Sequence, residues 1–181
     1  MIPIMSDRII DRLLALGGRA RALDADETLF RAGDPVRSIY LVMDGVVQLV
    51  RHQPHGLQLI LQRAVPGDIL AEASLFAVRY HCDAAAIEDA KLRATPRSDV
   101  ERAFADDGGF ARAWAAHLAQ QVQRVRATVE IMTLKTVAER LDAWITLHDG
   151  TLPPKGEWRI VASEIGVSPE ALYRELAKRR P

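Results

Sequence analysis

The feature that most constrains the fold is an abrupt change in the spacing of the apolar residues near residue 99. Between about residues 27 and 94 they form short β-like runs, separated by turn-forming residues such as Asp34-Pro35, Asp44-Gly45 and Pro66-Gly67. From Asp99 onwards they recur every three or four residues, as on one side of a helix. The pattern predicts an α+β protein with about seven or eight strands first and most of its helices after them.

One further helix is expected ahead of the strands. Apolar residues follow helical spacing over residues 6–16, and Gly17 ends the run. A chain of 181 residues is long enough for two domains of unequal size.

Composition narrows the classes of function. The 24 basic residues are balanced by 24 acidic ones, so a nucleic-acid partner would have to bind a local basic patch. A single cysteine, Cys82, excludes a disulfide framework and a four-cysteine cluster within one chain. Because no apolar run approaches the ~18 residues of a membrane span, we expect a soluble, cytoplasmic protein that is neither exported nor bound to a membrane.

A long helix of roughly 25 residues is predicted after a break near residues 106–109. Its apolar residues step by three or four and form one stripe, which needs a partner. A parallel homodimer is the favoured interpretation, and packing against the β domain of the same chain is the alternative. The predicted seam consists of Trp114, Leu118, Val122, Val125, Val129 and Met132.

Residues 157–180 have the layout of a helix-turn-helix. One apolar-periodic helix ends at Gly166, and a second begins with Ser168 as N-cap, Pro169 in the first helical position and Glu170 in the first turn. Leu172 and Leu176 are expected to pack inward. The residues predicted to contact DNA phosphates and base edges are Ser168, Glu170, Tyr173, Arg174, Lys178, Arg179 and Arg180. An ordinary helical hairpin with a basic end is the alternative.

Two further segments carry a resemblance to a known family. They are LFRAGDPVRSIYLVMDGVVQLV, residues 29–50, and PGDILAEASLF, residues 66–76. With the order of barrel, long helix and helix-turn-helix, they make the chain similar to the cyclic-AMP receptor / fumarate-nitrate regulator superfamily of bacterial transcription factors. The resemblance covers nearly the whole chain.

The resemblance implies a division into three parts. These are a jelly-roll-like effector domain related to cyclic-nucleotide-binding domains (residues 1–109), a dimerisation helix (110–135) and a helix-turn-helix DNA-binding domain (136–181). It also implies a homodimer on a pseudo-palindromic site in double-stranded DNA, with RNA polymerase as a further partner.

The effector pocket departs from the family pattern. Ala71-Glu72 stands where nucleotide-binding relatives have Gly-Glu, and Cys82-Asp83 replaces the Arg-Ser/Thr pair that holds the cyclic phosphate. Since a carboxylate repels a phosphate, cyclic AMP is not the expected effector, and Arg79 is the nearest residue that could rescue its binding. The single cysteine also excludes the iron–sulfur cluster of the oxygen-sensing relatives.

The candidate pocket residues are Glu72, Arg79, His81, Cys82 and Asp83. Adjacent His81 and Cys82 could ligate haem or a metal, although alternation in a strand places them on opposite faces. Alternatively, Cys82 is a redox-sensitive thiolate activated by Arg79 or by protonated His81. The third interpretation is a buried structural cysteine beside a surface histidine.

The second helix also departs from the family, in which an Arg-Glu pair and a later Arg read bases. Glu170 and Arg174 match this pattern, whereas Pro169 occupies the first arginine position. Glu175 stands where an apolar residue is usual, and the sequence stops before the small β wing of relatives. The DNA site should therefore differ from the usual half-site, with weaker binding.

Three functions remain open from the sequence. The leading one is a dimeric, effector-controlled, DNA-binding transcription regulator. The alternative is a ligand-binding or protein-interaction module whose degenerate helix-turn-helix does not bind DNA. A cupin-like enzyme would need clustered histidine and carboxylate ligands, and because the five histidines are scattered singly we expect neither an enzyme nor a metal site.

Overall fold

The computed structural model describes residues 6–53 and 58–179, with side chains from residue 9 onwards. The chain forms two compact units, Met1–His117 and Leu118–Pro181. The predicted boundaries after residues 109 and 135 are a different division of the same chain and stay a prediction.

The first unit is a jelly-roll-like β sandwich, as predicted. Within the described residues, eight strands form two antiparallel sheets with the orders β1-β8-β3-β6 and β2-β7-β4-β5. The strands are β1 (Arg19–Leu23), β2 (Thr28–Phe30), β3 (Ser38–Asp44), β4 (Val47–His52), β5 (Gln58–Ala64), β6 (Ile69–Leu70), β7 (Asp83–Ala86) and β8 (Ala90–Pro96). The first strand lies ahead of the range in which the sequence indicated β structure.

Alternation along the strands explains which residues form the core. In β3, Ile39 and Leu41 are buried while Tyr40 between them is partly exposed. The turn after β3 requires glycine, because Gly45 has a φ of +76° and a Cβ there would lie 2.2 Å from the carbonyl oxygen of Asp89. The Asp44-Gly45 signal in the sequence therefore marks a real hairpin.

Helices complete the first unit. The predicted N-terminal helix is α1 (Ser6–Ala15), which buries Ile9 and Leu13. After β8 come α2 (Arg97–Asp106) and the start of α3 (Gly108–Thr133). The break predicted near residues 106–109 is the extended residue Asp107 between these two helices.

The seam prediction is wrong at Trp114. Its indole is only 1% exposed and lies in an aromatic cluster of its own unit, with ring centroids 5.6 Å from Phe104 and 5.9 Å from Phe110. Helical spacing could not distinguish burial within one chain from burial against a second chain. The stripe is exposed farther along α3, where the exposed fractions are 48% for Val122, 62% for Val125, 56% for Val129 and 44% for Met132.

The second unit contains the predicted helix-turn-helix. Its remaining helices are α4 (Val137–Leu147), α5 (Trp158–Glu164) and α6 (Pro169–Lys178). A capping box starts α4, since Thr136 and Glu139 bond each other's backbone N–H groups. The buried core of the unit comprises Ile131, Leu141, Trp144, Val161, Ala162, Ile165, Leu172 and Leu176. The described residues form no helix that is long and apolar enough to cross a membrane.

Candidate nucleic-acid interface and effector pocket

The start of α6 has the local geometry that the sequence predicts. The Ser168 hydroxyl accepts a hydrogen bond from the backbone N–H of Ala171 at 3.2 Å, and Pro169 occupies the first turn. Gly166, with a φ of +65°, makes the turn that separates α5 from α6. Leu172 and Leu176 anchor the buried side of α6 and leave its opposite side to solvent.

Glu170 is held in its ionised form at the start of α6. Its own backbone N–H and the Ser168 hydroxyl lower the pKa of its carboxyl group, and the charges of Arg159 and Arg174 act in the same direction. An exposed carboxylate in this position is a hydrogen-bond acceptor, which suits the amino group of a cytosine.

Arg174 lies one turn after Glu170 on α6 and Lys178 one turn farther on, and both are exposed. The Lys178 amino group is 3.5 Å from the Glu175 carboxylate, but its side chain remains 75% exposed. A groove of about 490 Å³ runs between α6 and the start of α4, lined by Thr136, Val137, Ala138, Ala171, Arg174, Glu175 and Lys178. This groove therefore has two exposed cations at its wall and is large enough for a backbone phosphate.

Arg179 is not the free, outward-facing cation that the sequence predicts. Its guanidinium is bonded to the carboxylate of Asp142, to the carboxylate of Glu175 at 3.1 Å and to the carbonyl oxygen of Ala138 at 3.2 Å. These bonds connect the end of α6 to α4. The partners on α4 lie 37 and 41 positions away, so no local pattern could predict them.

The same contacts explain the unusual Glu175. Its side chain is only 14% exposed and is paired with Arg179 and Lys178, so it neither loosens the helix packing nor simply reaches solvent. Tyr173 is partly buried and packs against Trp158, with ring centroids 5.6 Å apart. Arg180 lies outside the described residues.

Glu72 is the most perturbed carboxyl group in the β sandwich. It begins a short 3-10 turn after β6, and its Oε2 atom is buried without a hydrogen-bond partner. Burial raises the pKa of Glu72 from 4.5 to about 7; its own backbone N–H opposes this effect, and the charge of Asp68 adds to it. A carboxyl group in this state can accept or lose a proton near neutral pH.

Cys82 is buried, with 3% of its surface exposed. Burial raises the pKa of its thiol, the Arg51 guanidinium opposes this, and the carboxyl groups of Asp83 and Glu72 add to it. Activation of the thiolate by Arg79 or His81 would require a lowered pKa, which these surroundings do not favour.

Arg51 is the cation beside Cys82. Strands β4 and β7 pair in antiparallel fashion, with Val50 opposite Asp83. Arg51, the next residue of β4, therefore lies opposite Cys82. Spacing along the sequence cannot identify Arg51, because the contact depends on the register of two strands that are about 30 residues apart. Arg79 is instead bonded to the carbonyl oxygen of Gly33 at 2.5 Å.

Asp83 and His81 have partners within the sandwich. The Asp83 carboxylate accepts a hydrogen bond from the Ala32 backbone N–H at 2.6 Å and pairs with His52 Nδ1 at 3.0 Å. His81 is exposed, and its Nδ1 lies 3.0 Å from the hydroxyl of buried Ser74. Since His81 is exposed and Cys82 buried, they do not converge as ligands of one haem or metal ion. The described residues contain no group of three or more His, Cys, Asp or Glu side chains that could hold a metal.

The backbone before Glu72 keeps a conformation that favours glycine. Ala71 has a φ of +68°, in the left-handed region that costs an L-residue roughly 1–2 kcal/mol. This is the position where the resemblance predicts glycine. Ala71 therefore adopts the backbone conformation that a glycine would adopt more easily.

Comparisons of sequence identify relatives of the first unit. Residues 20–107 match the family of cyclic nucleotide-binding domains. A transcriptional regulator of Thermus thermophilus, LdrP, is 30% identical over 101 residues, which make up 56% of this chain and 49% of LdrP. The chain thus spans about half the length of the curated relatives it matches.

Comparisons of structure extend the similarity to both units. FixK2 from Bradyrhizobium japonicum superposes with a TM-score of 0.71 at 23% identity, covering 88% of this chain and 83% of FixK2. The sensor domain of the transcriptional regulator DNR from Pseudomonas aeruginosa gives a TM-score of 0.55 at 27% identity, covering 66% of this chain and 81% of that domain. LdrP and DNR are regulators, in agreement with the expectation that the chain is not an enzyme.

Proposed function

We propose that the chain belongs to the cyclic-AMP receptor / fumarate-nitrate regulator superfamily and that it is a homodimeric transcription regulator that binds double-stranded DNA through α6. The observation that carries this proposal is the exposed side of α6. It combines an ionised acceptor, Glu170, with two cations, Arg174 and Lys178, on a helix whose other side is buried. Such a helix can enter a major groove, which makes α6 the recognition helix of this proposal.

We assign recognition of the base sequence to Glu170 and Arg174, and positioning of the helix on the DNA backbone to Lys178. A guanidinium can donate two parallel hydrogen bonds to guanine, and a carboxylate accepts one from cytosine. A flexible ammonium at the rim of the groove between α4 and α6 suits a phosphate, which carries no sequence information. Arg179 belongs to neither group, since its bonds are made within the protein.

The exposed part of the α3 stripe supports a homodimer. Val122, Val125 and Val129 are each about half exposed or more, which is costly for apolar side chains at helical spacing. Two such stripes can cover each other in a parallel coiled coil. A dimer would place two recognition helices on two half-sites of a pseudo-palindrome.

We also propose that the effector binds near Glu72, Arg51 and Cys82 and that cyclic AMP is not this ligand. Two carboxyl groups, Glu72 and Asp83, and one cation, Arg51, lie within electrostatic range of Cys82. A cyclic phosphate needs a surplus of donors and positive charge, whereas here carboxyl groups outnumber cations.

The first experiment is selection of genomic DNA fragments by the purified protein, followed by titration of the best fragment at two salt concentrations. We expect enrichment of a symmetric site with half-sites about one helical turn apart. The Arg174→Ala variant should lose the preference at one position of each half-site, and Arg63→Ala, which removes an exposed arginine from β5, should not. Absence of any enrichment would favour an interaction module that does not bind DNA.

The effector proposal has a separate test. Calorimetric titration of the protein with cyclic AMP should give no heat of binding at millimolar ligand, and its thermal unfolding midpoint should not change. Saturable binding that Arg51→Ala abolishes would overturn the proposal and assign the phosphate to Arg51.

A further inference from the structure

Arg140 makes an unusual set of bonds inside the second unit. From the first turn of α4, its guanidinium donates to the carbonyl oxygens of Leu134 at 2.9 Å and Met132 at 3.0 Å, at the end of α3. It also donates to the carbonyl oxygens of Ile165 and Gly166, both at 3.1 Å, in the turn before α6. One side chain thus joins the end of the long helix to the turn of the helix-turn-helix.

The chemistry of these four acceptors explains why an arginine is required. The last carbonyl groups of a helix have no partner within the helix and carry partial negative charge. A guanidinium has five N–H donors in a rigid plane, so it can serve the ends of two helices at once. A lysine ammonium is a point charge with a single nitrogen and cannot reach both groups of carbonyls.

A second contact joins the same two places. A Cβ atom at Gly166 would lie 3.6 Å from Cε of Met132 and 3.5 Å from the Arg140 guanidinium, so both side chains border the turn. Met132 is also 44% exposed at the end of the α3 stripe. A change in the surroundings of that stripe can therefore reach the turn through Met132 as well as through Arg140.

We propose that Arg140 is the positioning residue that transmits the placement of the α3 end to the recognition helix. It contacts no DNA in this proposal; it sets the direction in which α6 projects from α3. The proposal rests on the proposed function in one respect, since its effect on DNA requires a dimer whose two recognition helices bind together. Its structural part, the connection of α3 to α6, can be tested without DNA.

The DNA test compares a full symmetric site with a single half-site. Arg140→Lys keeps the positive charge but removes the planar set of guanidinium donors. Binding of the full site should therefore weaken about 10-fold, while binding of the half-site should change less than about 3-fold. Arg159→Lys, the same change on an exposed residue of α5, should leave the ratio of the two affinities unchanged. Equal weakening of both sites, or no weakening, would show that Arg140 has no positioning role.

A distance measurement tests the connection by itself. Spin labels on exposed residues Gln123 of α3 and Ala177 of α6 should give one narrow distance distribution in the parent protein, diluted with unlabelled chain. The distribution should broaden in Arg140→Lys and stay narrow in Arg159→Lys. A narrow, unshifted distribution in folded Arg140→Lys would refute the proposal. If the parent binds no DNA while Arg140→Lys still shows the broadening, the proposed function alone is refuted.

A second variant covers the case in which Arg140→Lys does not fold. Met132→Ala removes only an exposed side chain beside Gly166, so the protein should fold and its distance distribution should broaden to a smaller extent. Val129→Ala is the matched control, since it trims the same stripe one turn away from the contact with Gly166. An identical distribution in both variants would contradict the proposal.

Discussion

Two glutamates, Glu72 in the β sandwich and Glu170 at the start of α6, respond to their surroundings in opposite ways. Burial raises the pKa of Glu72 to about 7, while backbone and hydroxyl donors lower the pKa of exposed Glu170. Both lie in the first turn of a helical segment, yet Glu170 is exposed whereas Glu72 is largely buried. The comparison shows that burial brings the titration of one glutamate close to neutral pH, whereas the start of α6 presents a permanent charge.

The largest expected effect is on the pH dependence of stability. Between pH 4.5 and about 7 the unfolded chain loses the Glu72 proton while the folded protein keeps it, so the free energy of unfolding falls as the pH rises through this range. The full penalty of about 3 kcal/mol is present above pH 7. Urea unfolding should therefore show that Glu72→Gln is more stable than the parent at pH 8 but not at pH 4.5.

Glu170→Gln is the matched control for this prediction. Its carboxyl group has a lowered pKa when folded, so it stabilises the protein above its usual pKa and loses this contribution as the pH falls. The variant should be no more stable than the parent at pH 8. Equal stability changes for Glu72→Gln at both pH values would remove the contrast between the two regions.

The second expected effect concerns the cations beside Glu170. Arg174→Ala should weaken binding of the selected DNA site by about 1–3 kcal/mol and relax its preference at one base pair. Lys178→Ala should weaken binding of all sequences alike and reduce the salt slope by about 1, because it removes one phosphate contact. Titrations at several salt concentrations separate these outcomes; identical behaviour of the two variants would contradict the assigned roles.

A smaller effect is expected at the cap that orders the α6 terminus. Ser168→Ala removes the acceptor of the Ala171 N–H and should lower the free energy of unfolding by about 1 kcal/mol. Ser163→Ala, on an exposed site within α5, should be neutral or slightly stabilising. If the two variants unfold at the same urea concentration, the cap contributes nothing measurable.

The smallest expected effect is at the turn before Glu72. Ala71→Gly should stabilise the protein by up to about 1 kcal/mol, because relief of the positive φ exceeds the added entropy of the unfolded chain. Ala73→Gly, one residue inside the 3-10 turn, should instead destabilise it. Thermal unfolding of both variants distinguishes these signs, and a loss of stability in both would mean that Ala71 is not strained.

Local signals predicted the start of α6 well, and they did so for a physical reason. Ser168, Pro169 and Gly166 each act on backbone groups within a few residues, so their effect is visible in the sequence. The bonds that Arg140 makes to the turn before α6, and that Arg179 makes to α4, span 25 to 41 residues, and only the folded chain brings these groups together. The same limit explains why the sequence did not predict the bonds that Arg179 makes within the protein.

The surroundings of Glu72 and Cys82 could not be predicted from the sequence. The order of motifs located Glu72 and Cys82 in one region, whereas their burial and the approach of Arg51 depend on strand register. Trp114 illustrates a related limit, since its helical spacing matched a seam although its partners are Phe104 and Phe110. The spacing of apolar residues indicates which side of a helix is buried, but not whether the same chain or a second chain covers it.

The acceptors of Arg140 have one more consequence, which concerns how such a protein can change over generations. All four are main-chain carbonyl groups, which every amino acid carries. If α6 is the recognition helix, its side chains can therefore be replaced one after another, and new DNA sequences recognised, while the bonds from Arg140 to the end of α3 remain. A single retained arginine would thus allow a lineage of such proteins to exchange its target genes without rebuilding the route by which a signal arrives.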